Sequence, residues 1–451
     1  MTIVYSSLNH PLRVPLAAEV HSRPFLRVAA PERITHLAVF PSGSTPSGGV
    51  VPDGADGGPQ HAALADLCAR FGVAAPATGA KYFFHDFGRF RLKWECHTEF
   101  ATYTFAQRHE AGTPLDAAFG QVPLHHLPQE WLLALGGRIM VAAHVVLCRG
   151  GRSATAPDPL LRRVFEGANL VGSRTLHGGE IWTDFLIQSD GFARFVVYDH
   201  GMHEQEPGRL VQRLLEIETY RMMALVGLPE AQRAGPLLNA IEGELATLTA
   251  AMVDGQGGAA DAMADGEQAL LRDITGLAAR IEKLALETSY RFAASQAYFR
   301  LVRARIDELR ESRIEGLPTI GEFMERRLAP AMNTCDALAR RQETLAARIA
   351  HTNDLLRTRV GIVQERQNRQ ILESLNRRAA QQVRLQQAVE GLSVVAISYY
   401  LAGLFGYVAK SAKAAGWPVD PDLATGLLIP VIAGAVWLGL RQVHRRMHRA
   451  G

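Results

Sequence analysis

The chain has 451 residues, a formal net charge of +3 and 21% charged residues. That length allows two or three domains, and the absence of a basic stripe with interleaved aromatics excludes nucleic acid as an expected partner. Four cysteines, Cys68, Cys96, Cys148 and Cys335, lack metal-ligand spacing and fit a reducing compartment rather than a disulfide framework.

The N-terminal stretch MTIVYSSLNHPLRVPL has no basic segment followed by a long apolar core, so a signal peptide is not expected. Candidate strands follow at Ile34–Phe40, Lys81–Phe87, Arg89–Phe105, Arg138–Leu147 and Asn169–Leu176. EIWTDFLIQ and FARFVVYD flank Ser189-Asp190-Gly191, and Asp-Gly between two β-rich runs predicts a hairpin. Helices are predicted over Gln60–Phe71, Pro157–Glu166 and Gly208–Val226, and a surface loop over Pro41–Pro59. The predicted fold class of residues 1–233 is therefore α+β or α/β.

From residue 234 to 388 strand signals vanish, and the stretch reads as a helical coiled-coil stalk. Gly255–Gly266 and Gly316-Leu317-Pro318 interrupt it, and Thr319 with Glu322 predicts a capping box at the next helix start. No proline occurs between Pro330 and Pro418, so one helix over Ala331–Ala409, about 120 Å long, is expected. Leu345, Ile349, Thr352, Leu356 and Val363 follow the spacing of a coiled-coil seam, interrupted by Arg359. An antiparallel helix from about Asp265 to Arg313 and other subunits are both open as partners of that seam.

Two apolar stretches end the chain, at about 389–409 and 423–440, and each is long enough to cross a bilayer. Residues 389–443 therefore read as a transmembrane hairpin, and 444–451 as a basic cytoplasmic tail. Arg377, Arg378 and Arg384 precede the first span, and Arg441, Arg445, Arg446 and Arg449 follow the second, which places both termini in the cytoplasm. Ser393, Ser398, Tyr400, Gly403 and Gly406 are the candidate pore or packing residues of the first span, since small residues let helices approach closely.

Two polar clusters stand out in the N-terminal domain. If the chain is extended there, Glu19, His21 and Arg23 share one face, and Lys93, Glu95, His97 and Glu99 share another. A Glu95-His97-Glu99 row can ligate a divalent cation or hold an acid–base pair for a metal-dependent activity, or serve as a salt-bridged structural face. There is no phosphate-binding glycine loop, no GxSxG and no cysteine-pair zinc pattern, so catalysis is not expected. His125-His126 reads as loop, and Glu218 with Arg221 as a helical ion pair beside Glu216.

The segments HPLRVPLAAEVHSRPF, KWECHTEFATYTF, IWTDFLIQSDGFARFVVYD, EIETYRMMALVGLP and VEGLSVVAISYYLAGLFGYVAK together resemble an uncharacterised bacterial family of membrane-anchored proteins, domain of unknown function 3422. The resemblance covers nearly the whole chain. It implies a membrane anchor, hence the bacterial inner membrane, and no assigned activity. Cys96 stands where that family's KWE-x-HTEF motif has arginine, which argues against an essential charge there. The layout also resembles CorA-type magnesium channels, which are homopentamers. Their Gly-Met-Asn signature is absent, and Gly403-Leu404-Phe405-Gly406-Tyr407 stands in its place. The expectation is a membrane-embedded homo-oligomer, pentameric if CorA-like. It either conducts an ion or acts as a non-conducting scaffold or sensor whose cytoplasmic domain binds a partner or ligand.

Overall fold

The computed structural model describes residues 8–14, 16–17, 24–41, 58–150, 161–167, 169–254, 260–415, 418 and 420–447. The cluster Glu19, His21 and Arg23 lies outside these residues, as do most of the Pro41–Pro59 loop and the last four tail residues. The chain divides into two compact units, one formed by Met1–Gln256 with Leu270–Asp354 and the other by Gly257–Ala269 with Leu355–Gly451. The first unit thus holds the strands and also much of the helical stretch after residue 234.

Its strands are β1 (Glu32–Val39), β2 (Tyr82–Asp86), β3 (Arg91–Cys96), β4 (Ala101–Arg108), β5 (Ile139–Arg149), β6 (Val171–Thr175), β7 (Gly179–Ile187), β8 (Ala193–Asp199) and β9 (Glu311–Arg313). They form one sheet in the order β2-β3-β4-β1-β5-β8-β7-β6-β9. Every pairing is antiparallel except β5 with β8. The fold class is α+β.

The structure departs from the sequence expectations at two places. The single strand expected over Arg89–Phe105 is two strands, β3 and β4, because the backbone turns back at His97–Phe100, where the His97 N–H donates to the Phe100 carbonyl at 2.8 Å. The stretch expected to be wholly helical contains β9, which pairs with β6 through Ser173↔Arg313 and Thr175↔Glu311. Glu311 secures this short edge strand. Its carboxylate accepts from Ser173 Oγ at 2.7 Å and from the backbone N–H groups of Ile320 at 3.1 Å and Gly321 at 2.8 Å. A carboxylate at those N–H groups satisfies donors that a helix start leaves open.

The helices of the first unit are α1 (Gly58–Arg70), α2 (Leu115–Gly120), α3 (Gln129–Ala134), α4 (Leu161–Val164), α5 (Glu206–Leu225) and α6 (Gly227–Asp254), with most of α7 (Ala260–Leu309) and then α8 (Ile320–Arg327). The capping box starts α8 as its sequence requires: Thr319 Oγ1 accepts from the Glu322 N–H, and the Glu322 carboxylate accepts from the Thr319 N–H. The next helix, α9, runs over Ala329–Ala414, and α10 over Pro421–Met447. The expected hairpin at Asp190-Gly191 is present between β7 and β8, with Gly191 at φ 87°. Only glycine adopts that backbone readily.

Strand alternation places the core on both faces of the sheet. One face carries Ile34, Ala143, Val145, Phe195 and Val197, packed with Leu214 and Ile217 of α5, Phe292 of α7 and Met332 of α9. On the opposite face Leu37, Leu92, Trp94, Tyr103 and Phe105 pack with Leu64 and Leu67 of α1 and Trp131 of α3.

In the second unit many apolar side chains of α9 and α10 are exposed. Leu392 is 71% exposed, Leu404 62% and Leu427 74%. Both helices are long and apolar enough to cross a membrane, by length and composition.

Candidate functional site

Registry builds the site. Lys93 of β3 lies opposite Thr104 of β4, and Thr104 lies opposite His36 of β1. One pair further along, Glu95 lies opposite Thr102. Alternation turns these side chains away from Leu92, Trp94 and Tyr103, so a polar row crosses three strands on the face beneath α5. Helix α5 meets it with Val211, Gln212, Leu215, Glu216, Thr219 and Tyr220, which recur at helical spacing. Between sheet and helix lies a cavity of about 40 Å³, also bordered by Leu26, His97, Phe100 and Gly208. That volume holds roughly three waters or one small polar molecule.

The helix sits this close because position 208 is glycine. A Cβ there would lie 2.4 Å from the Leu26 carbonyl oxygen and 2.9 Å from the Phe25 ring. Any larger residue would push the first turn of α5 away from the Phe25–Leu26 segment that precedes β1.

Most polar groups around the cavity are tied to one another. His36 Nδ1 meets Thr104 Oγ1 at 2.9 Å, and its Nε2 meets Thr219 Oγ1 at 3.1 Å. Burial, with Lys93 and His97 nearby, pushes the His36 imidazole down to about 3, so it is neutral. Lys93 is buried. Its ammonium lies 3.0 Å from Glu95 Oε2 and donates to Gln212 Oε1 at 3.1 Å. Gln212 Nε2 donates to Glu216 Oε1 at 2.7 Å, and Glu216 Oε2 accepts from Arg305 of α7. Arg305 also donates to Glu308, which accepts from Arg213 at 3.2 Å. The chain of contacts thus runs from β3 through α5 to α7.

Thr102 departs from this pattern. It is 4% exposed and lines the cavity, yet its hydroxyl has no hydrogen-bond partner within the protein. A buried hydroxyl left without a partner costs about 1–3 kcal/mol, which a hydrogen-bonding group entering the pocket would offset.

Of the residues expected to form one site, Lys93, Glu95 and His97 border the cavity. Glu99 does not. The turn after β3 carries it to α7, where its carboxylate accepts from Arg291 at 2.5 Å and from the Tyr298 hydroxyl at 2.8 Å. Among the described residues no group of three or more His, Cys, Asp or Glu side chains is arranged to hold a metal ion. The cause is the turn, because a strand continuing past Cys96 would have kept Glu95, His97 and Glu99 in one row. Cys96 donates to Gln60 Oε1 at 2.7 Å on the opposite face. His36, Thr102, Thr104, Gln212 and Thr219 were not singled out by sequence. The available signal was the polar Thr35 and His36 inside the otherwise apolar run Ile34–Val39 of β1.

In the second unit, Ser393 Oγ donates to the Val389 carbonyl at 2.8 Å, whereas the buried Ser398 hydroxyl has no partner. Tyr400 and Gly403, with Tyr407, Lys410, Asp422 and Gly426, border a groove of about 760 Å³ between α9 and α10. A Cβ at Gly406 would lie 3.6 Å from Thr425 Oγ1, so the two helices meet there at ordinary contact distance.

Fold and site together define an α+β sheet protein with a pocket between sheet and α5 and two C-terminal helices that each carry an apolar stretch long enough to cross a membrane. The chain belongs to the family described as protein of unknown function (DUF3422), whose model matches residues 8–447. No curated protein matches the chain.

Proposed function

We propose that this chain is a membrane-anchored, non-conducting sensor or scaffold whose N-terminal unit binds a small polar molecule between β3, β4 and α5. The observation that carries the reading is the unpartnered Thr102 hydroxyl in a cavity otherwise lined by mutually satisfied groups. The lining narrows the ligand. Glu95 and Glu216 disfavour an anion, and the Lys93 ammonium disfavours a cation. What remains is a neutral molecule of a few heavy atoms that both donates and accepts hydrogen bonds. Its apolar part would rest on Phe100, Val211 and Leu215. Anchoring is supported by the exposed apolar side chains of α9 and α10, which water would not tolerate over so long a surface. The inner membrane with both termini cytoplasmic is the corresponding location. The test is extraction of washed membranes with alkaline carbonate, followed by mass spectrometry of small molecules released from the detergent-purified chain. The reading expects retention in the membrane pellet and one compound at near-equal stoichiometry.

A second reading, a CorA-like homo-oligomer that conducts an ion, is favoured by one observation. Ser398 carries a buried hydroxyl that its own chain leaves unpaired in the first apolar stretch. Vesicles containing the purified chain that stay tight to Mg2+, Co2+, Ni2+, K+ and Cl− would end that reading.

A further inference from the structure

Helix α9 carries two seams in different registers. The first, through Leu345, Ile349 and Leu356, is buried. Its steps of three and four residues, continued, reach Arg366 and Glu373, so it cannot extend further as an apolar surface. A second series begins at Leu372 and continues by the same alternating steps to Tyr407, and none of its positions is charged. This second series is open to the outside: Leu372 is 60% exposed, Leu375 53%, Tyr400 72% and Tyr407 74%.

The span has another side, already in use. Val394, Ser398, Ala402 and Phe405 are half-buried and Ala409 is buried, and this is the side next to Gly406, which faces Thr425 of α10. The part of the series before the span, Leu372 to Val389, is exposed throughout, whereas Tyr400, Gly403 and Tyr407 border the groove toward α10.

We propose that the series from Leu372 to Val389 is a self-association seam, and that its occupant is the same helix of further copies of this chain, parallel and in register. Charge placement selects this occupant. Arg377 and Arg384 fall at the heptad position farthest from the seam and Arg378 flanks it, so two of the three like charges point outward when identical helices meet. An acidic partner would instead be drawn to that arginine face. Geometry selects the same answer. Resting on the membrane-anchor reading above, copies held in one bilayer by the same hairpin can meet only in parallel, and each seam residue then faces its own equivalent.

The test is cysteine cross-linking of the full chain in native membranes. L375C and A379C place thiols on the seam; R377C and R384C place them on the outer face. All four positions are exposed, so the fold is retained. The parent chain, with its four buried or half-buried cysteines, sets the background. The expected result is at least tenfold more disulfide-linked dimer for the seam pair than for the outer pair. Equal yields at both faces, or no yield above background at the seam, overturn the proposal. Carbonate extraction of the same membranes separates the two readings, since release of the chain would refute the anchor and leave the cross-linking result to be read by itself.

Discussion

His36 and Thr104 face each other across β1 and β4, Nδ1 to Oγ1 at 2.9 Å, while the other ring nitrogen reaches Thr219 on α5 at 3.1 Å. One neutral imidazole thus joins two strands to the helix that roofs the cavity.

The protonation of that imidazole sets a pH dependence. In the unfolded chain its pKa is ordinary, about 6.5; in the folded chain it is pushed down to about 3. The unfolded state therefore binds a proton that the native state refuses. The stabilisation is complete above about pH 6.5 and falls as pH drops toward 3, by up to about 1.4 kcal/mol per pH unit. His144, pushed down to about 4 by burial, acts in the same direction. Denaturant unfolding at pH 7.5 and pH 5 should show a lower midpoint at pH 5, and His36→Leu should reduce that difference, lowering stability by about 1–3 kcal/mol at pH 7.5 and by less at pH 5.

Thr102 and Thr104 should respond differently to loss of the hydroxyl. Thr104→Val removes a partner of His36 and should cost about 1–2 kcal/mol. Thr102→Val removes a group with no partner in the protein, so the empty protein should lose less than about 0.5 kcal/mol, while ligand retention falls. Unfolding curves paired with small-molecule mass spectrometry read both effects.

Glu99 and Arg291 form an ion pair that is buried on both sides, with the Arg291 Nε and one terminal nitrogen left without partners. Removing one charge strands the other, at a cost of about 3–5 kcal/mol for Glu99→Gln or Arg291→Met. The double variant should recover part of that loss, and a double-mutant cycle by urea unfolding measures how much.

Gly208→Ala should lower stability by about 1–3 kcal/mol and reduce ligand retention, since its methyl would meet the Leu26 carbonyl oxygen at 2.4 Å. A change in retention with no change in the unfolding midpoint would contradict the close approach.

Much of the fold was legible where one local signal sufficed. The Asp190-Gly191 hairpin, the Thr319–Glu322 capping box and the Glu218–Arg221 pair follow from residues within a few positions of one another. The turn at His97–Phe100 was missed because KWECHTEF alternates without a glycine or proline to mark it. The strand β9 was missed because three residues carry no period, and pairing with β6 decides their conformation. The site was half legible. Lys93, Glu95 and His97 share a short segment and were found together. His36 and Gln212 come to them through strand registry and helix docking, which no linear spacing encodes.

The central claim is that the cavity beneath α5 holds a small polar ligand through Thr102, and it is tested most directly by comparing the small molecules released from the purified wild-type chain and from Thr102→Val. The account expects one compound at close to one per wild-type chain, reduced at least tenfold in the variant. The same compound profile from both proteins, with none near that stoichiometry, would contradict it.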